Sequence, residues 1–234
     1  MKICQGKGIG SSSIAIEVGS AISLLKSLRI DNPTVFDVGA NIGLYTEVFL
    51  KLMPKALIFA FEPSTGAQKA FENRFNNHAN VHLIPIALGN KNQTLNLYSD
   101  ENGSGLASLT KRRVEHFGIK FSYVERVKCQ RLEDWSMEHD TYPDFIKIDV
   151  EGHELDVLNG ADSLLSKVSV IQFEFGGCNI DTRTFFQDFW YCFISNGFLL
   201  YRVTLSGLIA IQSYSEEDEY FLTTNYLAVN KSKL

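Results

Sequence analysis

The sequence predicts an α/β fold: a mostly parallel seven-stranded sheet, helices on both faces, and an antiparallel strand at the C-terminal end. Three observations carry this. From residue 34 onward, short apolar β-leaning runs alternate with segments of helical spacing. Five strands that alternate with helices require crossover connections, hence parallel neighbours covered on both faces. The last two strands, 198–203 and 226–230, have no convincing helix between them and so pair antiparallel. At 234 residues with 45% hydrophobic content, the chain suits one well-filled domain rather than two.

The elements follow in order. Gly6 to Ser13 is a Gly- and Ser-rich lead-in without a phosphate-loop pattern. Ile22, Leu24, Leu25 and Leu28 have helical spacing between Ser20 and Arg29, and Asp31-Asn-Pro33 stops that helix. A strand at 34–38 leads to a helix near 43–52, a strand at 56–61, a helix near 64–76 and a strand from Val81 to Leu88. The stretch 93–132 is less regular, with strand-like pieces at 94–98 and 123–129. A helical turn at 132–137, a strand at 144–150, a helix near 153–166 and a strand at 168–175 complete the alternation. The helix at 184–196 carries Phe185, Phe186, Phe189, Trp190 and Phe193 as a stripe that is most simply core. Lys111-Arg-Arg113 reads as a solvated helix face, and Glu216-Glu-Asp-Glu219 as a surface loop.

Composition narrows the function. The formal net charge of −5 argues against a nucleic-acid partner. Cys4, Cys129, Cys178 and Cys192 lie far apart, a spacing that suits neither a zinc site nor a disulfide framework and points to a reducing cytoplasm. No apolar run approaches the roughly 18 residues of a membrane span. Met1 to Ser13 lacks the apolar core of a signal peptide.

The most informative segment is Phe36-Asp-Val-Gly-Ala-Asn-Ile-Gly-Leu-Tyr-Thr46. A strand that runs into a glycine loop and then a helix N-terminus holds nucleotide-like ligands in α/β proteins. The carboxylate of Asp37 would repel a phosphate and attract a cation. The ligand expected is therefore a nucleoside with positive charge, for which S-adenosylmethionine is the candidate. Ligands of such sheets bind at the carboxyl ends of the strands, and four strands end in an acid: Asp37, Glu62, Asp149 and Glu174. Glu62 follows Asp37 by 25 residues, where a carboxylate can accept both ribose hydroxyls. Pro63 fixes the turn after it.

Several blocks together carry a family resemblance. Phe36-Asp-Val-Gly-Ala-Asn-Ile-Gly43, Phe61-Glu-Pro-Ser64, Ala87-Leu-Gly89, Arg131-Leu-Glu-Asp134 and Phe145-Ile-Lys-Ile-Asp-Val-Glu-Gly-His-Glu154 resemble, in order, the motifs of the FkbM family of S-adenosylmethionine-dependent methyltransferases. The resemblance covers most of residues 34–175 and implies the Rossmann-like class I methyltransferase fold. It also implies O-methylation, often of hydroxyls on sugars, glycans or natural products. Carried over by position, Asp37, Gly39, Ala40, Asn41 and Gly43 would line the methionine and ribose side of the cofactor, with Glu62 and Pro63 at the ribose. Ala87 and Leu88 would sit near the adenine. Ser104, in Asn102-Gly-Ser-Gly105, is either a further contact or part of a plain surface turn. Asp149 would face the transfer centre and hold the methionine ammonium or the acceptor.

The implied reaction is an in-line displacement at a sulfonium methyl, for which holding the acceptor oxygen in place supplies ~7 kcal/mol or more. A sugar hydroxyl is a poor nucleophile, so a base adds about 10²-fold or more. The candidates are Asp149, Glu151, His153 and Glu174. His153 titrates in the useful range but also reads as a solvent-facing first-turn residue. Glu151 and Glu154 also read as acids that favour a helix N-terminus. A divalent metal is not favoured, although Asp149 and Glu174 are of the oxygen-ligand type that Mg²⁺ takes. The organisation expected is a lead-in and helix at 1–33 and one domain at 34–234. That domain has a cofactor half to about 150 and an acceptor half beyond it, the acceptor being a small molecule or glycan. Two other readings exist, an NAD(P)-dependent oxidoreductase and a non-catalytic cofactor-fold protein. The loop spacing G-x-x-x-G (Gly39, Gly43) speaks against the first, and the four strand-end acids against the second.

Overall fold

Strand β1 (Thr34–Val38) lies inside an eight-stranded sheet, and its neighbours place the strand ends that matter for function. The computed structural model describes residues 11–234; residues 6–10 of the lead-in expected at 6–13, and Cys4, fall outside the described residues. Residues 11–13 belong to a helix that spans Ser11–Ser27 and so begins earlier than the one expected from Ser20. The sheet order is β10-β9-β11-β8-β7-β1-β2-β3. Its parallel part comprises β1, β2 (Leu57–Phe61), β3 (Val81–Ile84), β7 (Phe145–Ile148) and β8 (Val170–Phe175). β11 (Thr224–Asn230) runs antiparallel between β8 and β9 (Phe198–Thr204), and β10 (Gly207–Ile211) forms a hairpin with β9.

The expected seven strands differ from this in two places. The hairpin strand β10 was not read from its mostly exposed residues. The single strand expected from Val81 to Leu88 breaks at Pro85, which has no backbone N–H to continue the ladder. Beyond the break, β4 (Ala87–Gly89) joins β6 (Tyr123–Arg131) and β5 (Gln93–Ser99) in a separate three-stranded sheet.

Alternation along the central strands divides two apolar layers. Phe36, Val38, Ile146, Ile148, Ile171, Phe173 and Phe175 pack on one face beneath α4 (Leu132–Glu138), α5 (Glu154–Asn159) and α7 (Phe186–Ser195). There Trp135 meets Phe36, Phe59 and Phe61 edge-on at centroid distances of 4.9–5.5 Å. Val35, Phe145, Val170 and Leu227 face the other layer, built on α1 (Ser11–Ser27), α2 (Leu44–Leu52) and α3 (Thr65–Phe75). Of the stripe expected as core, Phe186, Phe189 and Phe193 are fully buried and Trp190 is partly so, but Phe185, just before α7, is 49% exposed.

The layer beneath α1 and α2 contains a polar seam. Asp37 is in register with Lys147, and Lys147 with Gln172. These residues alternate with apolar neighbours that face the opposite layer, so the seam is a period-two consequence of sequence. The helix expected at 153–166 divides into α5 and a 3₁₀ turn at Asp162–Ser166. Lys111-Arg-Arg113 is not on a helix, and Arg112 is largely buried in ion pairs.

Candidate active site

A cleft of about 450 Å³ opens at the carboxyl ends of β1, β2 and β7. Among the predicted residues, Gly39, Ala40, Asn41, Glu62, Pro63, Ala87, Leu88, Ser104, Asp149 and Glu151 line it. The loop after β1 is shaped by close backbone approach. Gly39 has φ +78°, and a Cβ there would lie 1.9 Å from the Asp149 carbonyl oxygen. The N–H groups of Gly39 and Ala40 donate to the Phe61 carbonyl at 2.9 and 3.1 Å, which ties the loop to the end of β2.

Glu62 is held firmly. Its Oε2 accepts from the Asn41 N–H and its Oε1 from the Ser64 N–H, both at 2.8 Å. Burial is the largest influence on its carboxyl and carries its pKa to about 7, despite these bonds and the positive charge of Lys147. Each oxygen keeps acceptor capacity after one bond. Beside it, Ile86, Leu88, Leu97 and Ala107 form an apolar slot between the two sheets.

Four predicted residues lie away from the cleft wall. Asp37 is 1% exposed: its Oδ2 accepts from Thr46 Oγ1 at 2.6 Å, and its Oδ1 faces Lys147 Nζ at 3.4 Å. The cation beside Asp37 is thus the protein's own lysine. Gly43, at φ +83°, starts α2, and a Cβ on it would collide with the rings of Phe71 and Phe75, so its role is packing. His153 has both ring nitrogens bonded, Nδ1 to Asp156 Oδ2 at 2.8 Å and Nε2 to Thr110 Oγ1 at 2.9 Å. That satisfied ring argues against a free base. Glu174 stands behind the wall, yet one of its oxygens comes within 4.8 Å of those of Asp149 and Glu151.

These three carboxylates form the electrostatic centre of the site. Burial and then the Asp149 charge raise the Glu151 pKa to about 8, against the lowering effect of Arg112. Burial and the same neighbours raise Glu174 strongly. The trio has the oxygen chemistry of a divalent-cation site, but Lys147 Nζ lies 3.4 Å from Asp149 Oδ2 and Arg112 pairs with Glu151. Two cations of the protein already stand against these acids.

Sequence reasoning missed several residues. Lys147, 7% exposed at its side chain, donates to the Gly39 carbonyl at 3.0 Å. Burial lowers its pKa, but Asp149, Asp37 and Glu174 outweigh this and raise it overall. Its signal was present: a lysine between Ile146 and Ile148 in a strand buried on both faces. Glu154 is fully buried, with Oε1 bridging the N–H groups of Val150 and Gly152 at 3.0 Å each, so it shapes the 149–153 loop from within. Glu151 itself has φ +55°, a left-handed conformation uncommon for a glutamate. The segment after β5 crosses the cleft and is fastened to that loop. Ser108 Oγ donates to the Glu151 carbonyl at 2.8 Å, and Arg112 bridges Glu151 and Asp181. Ile14 and Glu17, on α1, also reach the wall.

Comparison with known proteins agrees with this architecture. A methyltransferase FkbM domain model matches residues 37–200. The 2-O-methyltransferase NoeI of Sinorhizobium fredii is 28% identical over 180 residues, 72% of this chain and 73% of that protein. The hexuronic acid methyltransferase AglP of Haloferax volcanii is 29% identical over 155 residues, 64% of this chain and 59% of its own length. The crystal structure of methyltransferase FkbM from Methylobacillus flagellatus superposes with a TM-score of 0.53 at 16% identity, over 84% of this chain and 44% of that one. No helix among the described residues is long and apolar enough to cross a membrane. With four of its five motif blocks gathered around one cleft and the family model spanning most of its sheet, the chain belongs to the FkbM family of methyltransferases.

Proposed function

We propose that this protein transfers a methyl group from S-adenosylmethionine to a hydroxyl of a sugar, glycan or natural product. The observation that carries the cofactor assignment is Glu62: a buried carboxylate, oriented by two backbone donors and open to the cleft, suits a vicinal diol. The apolar slot of Ile86, Leu88, Leu97 and Ala107 suits a flat base beside it. Asn41, Gly39 and Ala40 contribute the wall on the methionine and ribose side. NoeI and AglP, by their names a 2-O-methyltransferase and a hexuronic acid methyltransferase, support a sugar hydroxyl as acceptor.

Bound in this cleft, S-adenosylmethionine supplies a methyl carbon made electrophilic by the adjacent sulfonium. The protein's task is to position the acceptor and manage one proton. Glu151 lines the cleft, and its raised pKa makes it a stronger proton acceptor than an ordinary carboxylate. Arg112 orients it, and burial, Asp149 and Glu154 raise its basicity. Asp149, at the wall and 36% exposed, is placed to accept a hydrogen bond from the acceptor. Lys147 holds Asp149 and the Gly39 carbonyl at fixed positions.

Residues 34–234 act as one domain, with a cofactor half to about 150 and an acceptor half beyond it. The free thiols of Cys129, Cys178 and Cys192 fit a reducing cytoplasm. Thermal melting with S-adenosylhomocysteine, S-adenosylmethionine and NAD(H) tests the cofactor. Stabilisation of about 2.7 kcal/mol is expected from either methionine nucleoside at a hundredfold excess over its Kd. A shift with NAD(H) alone would show a different enzyme.

A further inference from the structure

Glu151, the base, shares its cation. Arg112 comes from the segment that crosses the cleft after β5, and its guanidinium stands between two carboxylates. Its Nη1 pairs with Glu151 Oε2, and its Nε faces Asp181 Oδ2 at 3.6 Å, a contact of charge rather than a hydrogen bond. Asp181 does not line the cleft. Its other oxygen accepts from the Arg113 N–H at 3.3 Å, so one side chain holds both the cation and the backbone beside it.

Asp181 belongs to α6 (Cys178–Thr182), a short turn just beyond β8. The turn is fixed from within: buried Asn179 accepts from the Gly176 N–H and donates to Thr184 Oγ1, both at 2.8 Å. It also packs directly on the loop that carries the base. Gly152 has φ +105°, and a Cβ there would lie 3.0 Å from the Cys178 carbonyl oxygen and from Thr182 Cγ2. α6 therefore fixes where Asp181 stands relative to Glu151. Glu151 meets Asp149 from its own loop, Glu154 from α5, Glu174 from β8, the Cys178 thiol from α6 and Arg112 from the crossing segment. Of these groups Arg112 alone favours the ionised carboxylate. A guanidinium given wholly to Glu151 would hold it ionised and make it a weaker proton acceptor.

We infer that Asp181 is a positioning residue for the methyl transfer: by sharing Arg112 it keeps the guanidinium from neutralising Glu151 and so preserves a base at the cleft. This rests on the reading of Glu151 as that base. The test follows the Glu151 carboxyl by carbon-13 NMR through a pH titration of wild type, Asp181→Asn and Asp181→Glu, with Glu151→Gln to assign the signal. Asparagine keeps the shape and the acceptor for the Arg113 N–H but carries no charge. The Glu151 midpoint is expected at about 8 in wild type. It should fall by about one pH unit in Asp181→Asn and stay within about 0.3 of wild type in Asp181→Glu. A purely structural role would lower the melting temperature and leave the midpoint where it was. A midpoint unchanged or raised in Asp181→Asn overturns the assignment while leaving Glu151 as the base. So does a fall in Asp181→Glu as large as in Asp181→Asn, because the charge is retained there. A wild-type midpoint in the ordinary carboxylate range of about 4 to 5 overturns the reading of Glu151, and this one with it.

Discussion

The two sides of the cleft are built by opposite means. On the β1–β2 side, backbone groups do the work: glycine torsions, amides tied to Phe61, and a glutamate held by two N–H donors. On the β7–β8 side, the work falls to charged side chains that face one another, with a left-handed Glu151 at the centre. The first arrangement is complete without a ligand. The second gathers carboxylates that repel each other and holds them with Lys147 and Arg112. Shape is fixed on one side and chemical potential is stored on the other.

Substitutions on each side should therefore separate stability from turnover. The largest effect is expected from Gly39→Ala, which adds a strained torsion and a backbone collision with Asp149. Unfolding in urea should show a loss of about 3 kcal/mol. A cost below about 1 kcal/mol would remove the rigid half of the comparison. Next is Glu151→Gln, expected to lower kcat about 10²-fold or more without loss of stability. In wild type, kcat should climb as pH rises through about 8, where Glu151 ionises. A pH profile unchanged by the substitution would assign the base elsewhere.

The same carboxylates make a stability prediction of definite sign. Glu151 and Glu174 have folded pKa values above their unfolded ones, so their contribution is complete below about 4.5 and is lost as pH rises, for Glu151 through about 8. Tm should fall over that range, and Glu174→Gln should flatten the fall. Tm that climbs steadily toward pH 9 would contradict the stored repulsion.

A smaller effect concerns Glu62. Binding that favours its ionised form should release protons near pH 6.5, seen as buffer-dependent heat in titration calorimetry, with affinity levelling off above about 7. Glu62→Gln should abolish the release and weaken binding about tenfold. The smallest effect is expected at His153: with both nitrogens bonded inside the fold, His153→Gln should leave kcat within about threefold. A 10²-fold loss would make the ring a participant after all.

The contrast also explains what the sequence disclosed. Gly39, Asn41 and Glu62 were legible because their constraints are local, a torsion or a strand end. Parallel strands and covering helices were legible from periodicity alone. The β7–β8 side depends on partners brought from afar: Arg112 lies 39 positions from Glu151, and Glu17 lies 155 from Gln172. Such pairings leave no mark in a short window. Asp37 shows the reverse failure. Its strand-end position was read correctly, but its partner Lys147 sits on a neighbouring strand, and one lysine in an apolar run was passed over. The break at Pro85 was visible too, yet only the structure shows that the chain then enters a second sheet.

β11 has a consequence for biogenesis. It is buried at every residue and lies between β8 and β9, both made earlier in the chain. As the polypeptide emerges from the ribosome, β9 and β10 have no place in the sheet until residues 224–230 arrive to bridge them to β8. Until then β8 presents an open, apolar edge, the kind of surface that chaperones cover and aggregates exploit. A strand made after both of its neighbours is thus the keystone of the sheet, and nascent chains stalled before it should be marked for quality control.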